Sequence, residues 1–97
     1  MATITPLKKI FSGKVLPKRV AVNVQIVGFV TSKKLKIRDS NQGGPFYLDT
    51  NLATHFMLRY LEVGRTINII NPEVKKDEST LVIQRKTIVS NGLKIEG

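Results

Sequence analysis

A run of alternating apolar residues limits what this chain can fold into more than any other feature. Residues 19–30 have the sequence RVAVNVQIVGFV. The apolar residues Val20, Val22, Val24 and Ile26 alternate there with small or polar residues. A period of two predicts a β-strand with one buried face. The alternation fails at VGFV, where Gly28 predicts a β-bulge or a sharp bend. A bent strand of this kind is what a small closed barrel requires.

The remaining sequence predicts four more strands and one helix. The further strands are expected at residues 34–39, 45–50, 65–74 and 81–89. Within residues 65–74, the fourth strand of the chain, Pro72 is expected to end the strand pairing. Residues 51–62 change to helical spacing and predict a helix of about three turns. Its apolar stripe is formed by Leu52, Ala53, Phe56, Met57, Tyr60 and Leu61. Possible N-cap oxygens are those of Asp49, Thr50 and Asn51, and Gly64 is placed to end the helix.

This order of elements predicts an all-β fold with a small α content. Five strands with a helix between strands three and four form the five-stranded OB-fold barrel. The 97 residues predict one domain, 1–97, in which residues 1–18 form a lead-in that packs on the barrel. Within the lead-in, ITPLKKIF predicts a short turn or strand, and SNGLKIEG predicts a C-terminal tail. An SH3-like or Sm-like barrel is the competing fold, but it does not normally carry a full helix at that point.

Two short motifs resemble one family of OB-folds. ITPLKKI precedes a long strand, and YLEVGRTINII contains a Leu-x-x-Gly-x-x-Ile pattern formed by Leu61, Gly64 and Ile67. In these respects the chain resembles the OB-folds of the replication protein A and telomere end-binding class. The resemblance implies single-stranded DNA binding, or a subunit role in a complex that binds such DNA. It covers most of the chain but depends on short, common motifs.

Composition indicates a polyanionic partner. The formal net charge is +9, from 16 basic and 7 acidic residues, and such a surface attracts nucleic acid, anionic membrane or acidic protein. The absence of cysteine excludes disulfides and thiolate zinc sites. No apolar run is long enough for a transmembrane helix, and the N-terminus does not have the pattern of a secretory signal. We expect a soluble protein without a membrane partner, nuclear in a eukaryote and cytoplasmic otherwise.

The stretch TSKKLKIRD predicts a basic surface on the second strand. If Leu35 and Ile37 point inward, the outer face carries Lys34, Lys36 and Arg38, spaced about 7 Å apart along the strand. On the third strand Tyr47 is then expected on the same outer face, with Phe46 in the core. A basic groove beside an aromatic ring is the usual solution for binding single strands. The full set of predicted nucleic-acid-binding residues is Lys33, Lys34, Lys36, Arg38, Tyr47, Lys75, Lys76 and Arg85.

The sequence offers little support for catalysis or for metal binding. The single histidine, His55, is expected on the exposed side of the helix, away from any carboxylate. Asp39 and Asp49 flank the predicted hairpin and are expected to cap backbone groups. SNQGG lacks the Gly-Lys-Ser/Thr ending of a phosphate loop, and no metal-ligand spacing is present. We therefore expect neither enzymatic activity nor a cofactor.

Three functions are compatible with these features. The favoured one is a nucleic-acid-binding OB module, with single-stranded DNA preferred over RNA. The alternative is an adaptor OB domain that binds a protein partner within a telomere, replication or repair complex. Its predicted apolar patches are formed by Ile70, Val82, Ile88 and Val89, and by Ile4, Leu7 and Ile10. A ribosomal or translation-factor barrel is the third, although the lysines are clustered rather than spread along tails.

Overall fold

The computed structural model describes residues 4–13, 20–41 and 43–95, which form one curled β-sheet with little helix. The strands are β1 (Ala21–Thr31), β2 (Lys34–Arg38), β3 (Phe46–Asp49), β4 (Thr66–Ile70), β5 (Glu73–Lys75), β6 (Thr80–Val82) and β7 (Ile88–Asn91). The α-helices are α1 (Leu7–Ser12) and α2 (His55–Leu58), and a 3₁₀ turn covers Lys76–Glu78. The strand order in the sheet is β5-β6-β3-β2-β1-β4-β7.

The long strand β1 bends where the sequence predicts a bend. It pairs antiparallel with β2 and with β4. Its register against β2 shifts between Ile26 and Gly28, and again between Phe29 and Thr31. The predicted bulge is therefore confirmed, and such bulges increase the local twist of a strand. A side chain added at Gly28 would meet no atom within 4 Å, so the bulge does not require glycine for steric reasons.

The predicted closed barrel of five strands is wrong in detail, because the structure shows a curled half-barrel of seven strands. Asn71 and Pro72 interrupt the predicted fourth strand, which continues beyond the proline as β5 instead of ending there. The predicted fifth strand is likewise divided into β6 and β7. In the turn between them, the Thr87 hydroxyl accepts from the Gln84 amide at 2.8 Å and donates to the Asn71 carbonyl at 3.0 Å. These bonds hold Gln84–Thr87 out of the pairing between strands. The mostly β architecture as a whole remains compatible with an OB-like fold.

The core fills the inside of the curled sheet, and α1 contributes to it. The largest fully buried side chains are Leu7, Ile10, Val22, Val24, Ile26, Leu35, Ile37, Leu48, Ile67, Ile69, Leu81 and Ile83. The predicted turn or strand in the lead-in is wrong, since residues 7–12 form a helix. Its N-terminus is capped from a distance: Asp39 Oδ2 accepts from the Leu7 amide at 2.7 Å, which satisfies a donor that the helix leaves unpaired. Residues 1–3 and 14–19 lie outside the described residues.

Helix α2 is a single turn, so the predicted helix over residues 51–62 is wrong in length. The Thr50 amide and hydroxyl both donate to the Lys33 carbonyl, at 2.8 and 3.0 Å. These bonds extend the hairpin past β3 and delay the helix. Thr54 is the N-cap, with its Oγ1 accepting from the Met57 amide at 3.3 Å, while the Asp49 carboxylate accepts from the Asn51 amide at 2.9 Å.

The C-terminal stretch packs on the sheet and is not the predicted tail. Residues beyond β7 cross the face of β1 and β4 that points away from the core. There the Asn23 side chain bonds both backbone groups of Leu93, each at 2.8 Å. Gly92 lies against β4, where a Cβ atom would come within 2.7 Å of the Ile67 carbonyl carbon. This segment ends with Ile95 buried, so it covers one part of the outer sheet surface.

Candidate nucleic-acid interface

The outer faces of β2 and β3 carry the basic and aromatic side chains that the sequence places there. Leu35 and Ile37 are buried on β2, and the basic residues that alternate with them, Lys34, Lys36 and Arg38, face outward. Phe46 and Leu48 are buried on β3, and Tyr47 is half-buried on the outer face. The predicted phase of both strands is confirmed, including the core position of Phe46.

Strand pairing aligns three of the predicted residues across the sheet. Lys36 pairs with Tyr47, Tyr47 pairs with Thr80, and Thr80 pairs with Lys75. With a strand separation of about 4.8 Å, this row from β2 to β5 is about 14 Å long. Thr80 is buried and its hydroxyl donates to the Glu78 carbonyl at 2.8 Å. The row therefore has a cation at each end and a phenol ring between them.

Two other predicted residues are held in place by neighbours on this face. The Lys34 Nζ lies 4.8 Å from the centroid of the Tyr47 ring, which is a cation–π arrangement. The Arg38 Nε donates to Gln25 Oε1 on β1 at 2.8 Å. Lys34, Lys36 and Arg38 thus form a column along β2 that crosses the row at Lys36. We call the column and the row together the β2–β3 face.

The remaining predicted residues lie at the margins of this face. Lys33 is exposed in the β1–β2 turn, and Lys76 donates from its Nζ to the Gly13 carbonyl beside α1. Lys75 lies 3.9 Å from Glu78, but both side chains are about half exposed, so this ion pair contributes little. Arg85 was predicted on a strand and instead lies in the turn beyond β6. The structure does not bring Arg85 into the row or the column.

A groove next to Tyr47 was missed by sequence reasoning. Its volume is about 430 Å³, and it lies between α1, the loop before β3 and the β5–β6 turn. Its floor includes Phe11 stacked on Phe46, with ring centroids 5.2 Å apart and planes 14° apart. Asp77 and Glu78 line the opposite wall. Phe11 and Phe46 are far apart in sequence, so no local pattern indicates that they meet.

Of the two acids that flank the hairpin, Asp49 lies on the β2–β3 face opposite Lys34, and Asp39 does not. Asp39 is buried and caps α1, and Asp49 closes the turn at Asn51. His55 is exposed at the start of α2. Within residues 4–13, 20–41 and 43–95, no three His, Cys, Asp or Glu side chains are grouped so as to hold a metal ion. None of the helices described has the length and apolar character needed to cross a membrane.

No protein-family model, curated protein or solved structure matches this chain. The geometry of the β2–β3 face therefore carries the functional argument.

Proposed function

We propose that this chain is a non-enzymatic module that binds single-stranded nucleic acid, DNA in preference to RNA, on the β2–β3 face. One observation carries the proposal: the paired row Lys36–Tyr47–Thr80–Lys75 crosses the basic column of β2. Charges at both ends of the row can contact phosphates, and the ring between them can stack on a base once the Lys34 ammonium moves from the ring to a phosphate. This combination is the general solution for binding single strands.

The spacing of the charges supports this use. Alternate residues of a strand are about 7 Å apart, which is close to the phosphate spacing of an extended single strand. The column therefore offers cations at a suitable interval, and the row adds Lys75 about 14 Å from Lys36. The net charge of +9 adds long-range attraction to any polyanion.

Part of the outer surface of the sheet is already in contact with the C-terminal segment, which leaves the β2–β3 face for a ligand. Gly92 and Leu93 lie against β1 and β4, where Asn23 holds the backbone of Leu93. On β2 and β3, the side chains of Lys36 and Tyr47 stay accessible, exposed and half-buried respectively. A ligand is therefore expected on β2 and β3.

The finer fold assignment that fits this function is the OB barrel. Only Asn71 and Pro72 separate β4 from β5, so the two can be treated as one bent fourth strand. In that description β6 is the fifth strand, and its parallel pairing with β3 is compatible with an OB-like fold. The replication protein A and telomere end-binding class suggested by the sequence fits this topology. It implies a role in a telomere, replication or repair complex, in the nucleus of a eukaryote.

A single outward ring predicts weak and nearly sequence-independent binding. Tyr47 is the one aromatic residue in the row, whereas Phe46 is 7% exposed and packs on Phe11. Each stacked base contributes about 1–3 kcal/mol, so one platform supplies little base preference. A second subunit would add affinity by extending the site.

Fluorescence anisotropy with labelled oligonucleotides tests the proposal. Single-stranded dT, mixed-sequence DNA, RNA and duplex DNA are titrated at about 50 and about 200 mM salt. The wild type is compared with Lys34→Glu/Lys36→Glu and with Tyr47→Ala. We expect a preference for single strands that the charge variant abolishes and Tyr47→Ala weakens. Equal binding of duplex, with no effect of Tyr47→Ala, would reduce the surface to a generic basic one and refute the proposal.

The adaptor function remains a second candidate. Of the apolar patches that the sequence suggests, Leu7, Ile10, Val82 and Val89 are buried, whereas Ile4 and Ile88 are exposed and Ile70 is half-buried. Large apolar side chains are also exposed at the end of β1 and around α2. That observation favours a protein-binding surface at a different place.

A further inference from the structure

Two stretches of the chain expose large apolar side chains together. At the end of β1 these are Val27, Phe29 and Val30. In the segment that joins β3 to β4 they are Leu52, Phe56, Leu58 and Val63. Single exposed apolar residues are common on protein surfaces, whereas a group of them marks an interaction site.

Backbone hydrogen bonds tie both ends of the β3–β4 segment to β1 and to the turn that follows it. The β3–β4 segment begins against the β1–β2 turn, where the Thr50 amide donates to the Lys33 carbonyl at 2.8 Å. It ends against the middle of β1, where the Gly64 amide donates to the Ile26 carbonyl at 2.7 Å and the Ile26 amide to the Arg65 carbonyl at 2.9 Å. The exposed apolar residues of both stretches therefore lie between the same two anchors. We call the exposed apolar residues of the two stretches the β1–α2 patch.

The patch is not an extension of the core. Ala53, Met57 and Tyr60 of the same segment pack against the core cluster, so one side of the α2 turn is already used for folding. The other side presents Phe56, which is 74% exposed, and Phe29 on β1 is 57% exposed. Exposed aromatic rings of this size contribute little to folding and much to association.

Cations surround the patch. The Arg59 guanidinium lies 5.5 Å from the centroid of Phe56, and that of Arg65 lies 5.3 Å from the centroid of Tyr60. Lys33 is exposed at the turn where the segment begins. The acids on these elements are Glu62, which is exposed, and Asp49, whose carboxylate accepts from the Asn51 amide. The patch is thus an apolar surface with a predominantly positive rim.

We propose that the β1–α2 patch binds an acidic segment of a partner protein that inserts apolar side chains beside Phe29 and Phe56. The positive rim selects the acidic residues, and the exposed rings accept the apolar ones. A second copy of this chain fits poorly because two chains of charge +9 repel each other. The patch includes neither Lys36 nor Tyr47, and it meets the β2–β3 face at Lys33 in the β1–β2 turn.

Selection from a displayed library of random peptides, about 16 residues long, tests the partner chemistry. The wild-type chain is the bait, and a Phe29→Ser/Phe56→Ser chain is used for counter-selection. The buffer contains about 0.3 M salt, because screening at that ionic strength suppresses non-specific attraction to the net charge. We expect the enriched peptides to combine Asp or Glu with several large apolar residues.

Affinities of the enriched peptides are then measured with three variants. Phe56→Ser and Arg59→Glu should each weaken binding by about tenfold or more. Leu93→Ser, which removes an equally exposed apolar side chain outside the patch, should leave it unchanged. Phe56→Ser and Leu93→Ser leave the net charge unchanged and should bind single-stranded oligonucleotides like the wild type, so this inference can fail while the proposed function holds, or the reverse.

Three results would overturn the proposal. The first is enrichment of neutral or basic peptides, or no enrichment over the counter-selected chain. The second is a dimer, seen by light scattering, that Phe56→Ser dissociates, because the patch would then bind a second copy. The third is binding to anionic phospholipid vesicles that depends on Phe56 and excludes the peptides, because the occupant would then be a membrane surface.

Discussion

Lys36 lies where the basic column of β2 crosses the row to Lys75, and replacing it gives a quantitative test of the β2–β3 face. Its side chain is exposed, whereas Lys34 lies over the Tyr47 ring and Arg38 is bonded to Gln25. Lys36→Gln should therefore remove one phosphate contact and little else. For single strands, each phosphate contact contributes about 0.7 to the slope of log affinity against log salt.

The expected change can be worked out directly. Lys36→Gln should make the slope shallower by about 0.7, which alters the affinity ratio between about 50 and about 200 mM salt by roughly 2.6-fold. Lys75 lies about 14 Å away across three strand steps. Its replacement by Gln should add independently, because sites this far apart behave additively. The double variant should therefore be shallower by about 1.4.

The assay is anisotropy of labelled dT oligonucleotides over a salt series, with Lys94→Gln as the matched control. Lys94 is exposed and follows Leu93, whose backbone bonds to Asn23 on β1. Lys94→Gln therefore makes the same change in net charge at a residue that belongs to neither the row nor the column. If Lys94→Gln flattens the slope as much as Lys36→Gln does, net charge alone explains binding. The argument for a specific face would then be refuted.

Three further predictions concern the platform and the fold. Tyr47→Leu should weaken dT binding by about 1–3 kcal/mol while Tyr47→Phe stays close to wild type, as measured by the same titration. Asp39→Ala removes the cap of α1 and should lower the free energy of unfolding in urea by about 0.5–2 kcal/mol; an unchanged midpoint would contradict that role. Gly92→Ala, whose new methyl would overlap Asn23, should lower the free energy of unfolding by about 1–3 kcal/mol. Gly28→Ala is the control and should be neutral or slightly stabilising, because its methyl meets no neighbour.

The parts of the fold that could be predicted from the sequence depend on local periodicity. The two-residue alternation around Leu35, Ile37 and Leu48 fixes which side chains are buried, and the structure agrees. The length of α2 could not be predicted in this way. It is set by two bonds from Thr50 to the Lys33 carbonyl, and helical spacing in the sequence carries no information about them.

The same distinction applies to the candidate site. Lys36 and Tyr47 face each other across one hairpin, so their alignment follows from the predicted phase of neighbouring strands. The alignment of Lys75 requires the parallel pairing of β3 with β6, which joins segments that no local pattern links. The sequence predicts Arg85 on a strand, but it lies in a turn that is held by the bond from the Thr87 hydroxyl to the Asn71 carbonyl. That carbonyl is distant in sequence, so no local pattern predicts the turn.

Because of the parallel pairing of β3 with β6, we expect the row from Lys36 to Lys75 to form late in folding. The half that holds Lys36 and Tyr47 belongs to a local hairpin, whereas Lys75 joins through a contact between Tyr47 and Thr80 that is distant in sequence. Such contacts form slowly because the loop that they close must first be ordered. An oligonucleotide that spans the row would recognise the completed sheet and stabilise it against unfolding. Protection from unfolding by such a ligand would then depend on Lys75 as well as on the hairpin.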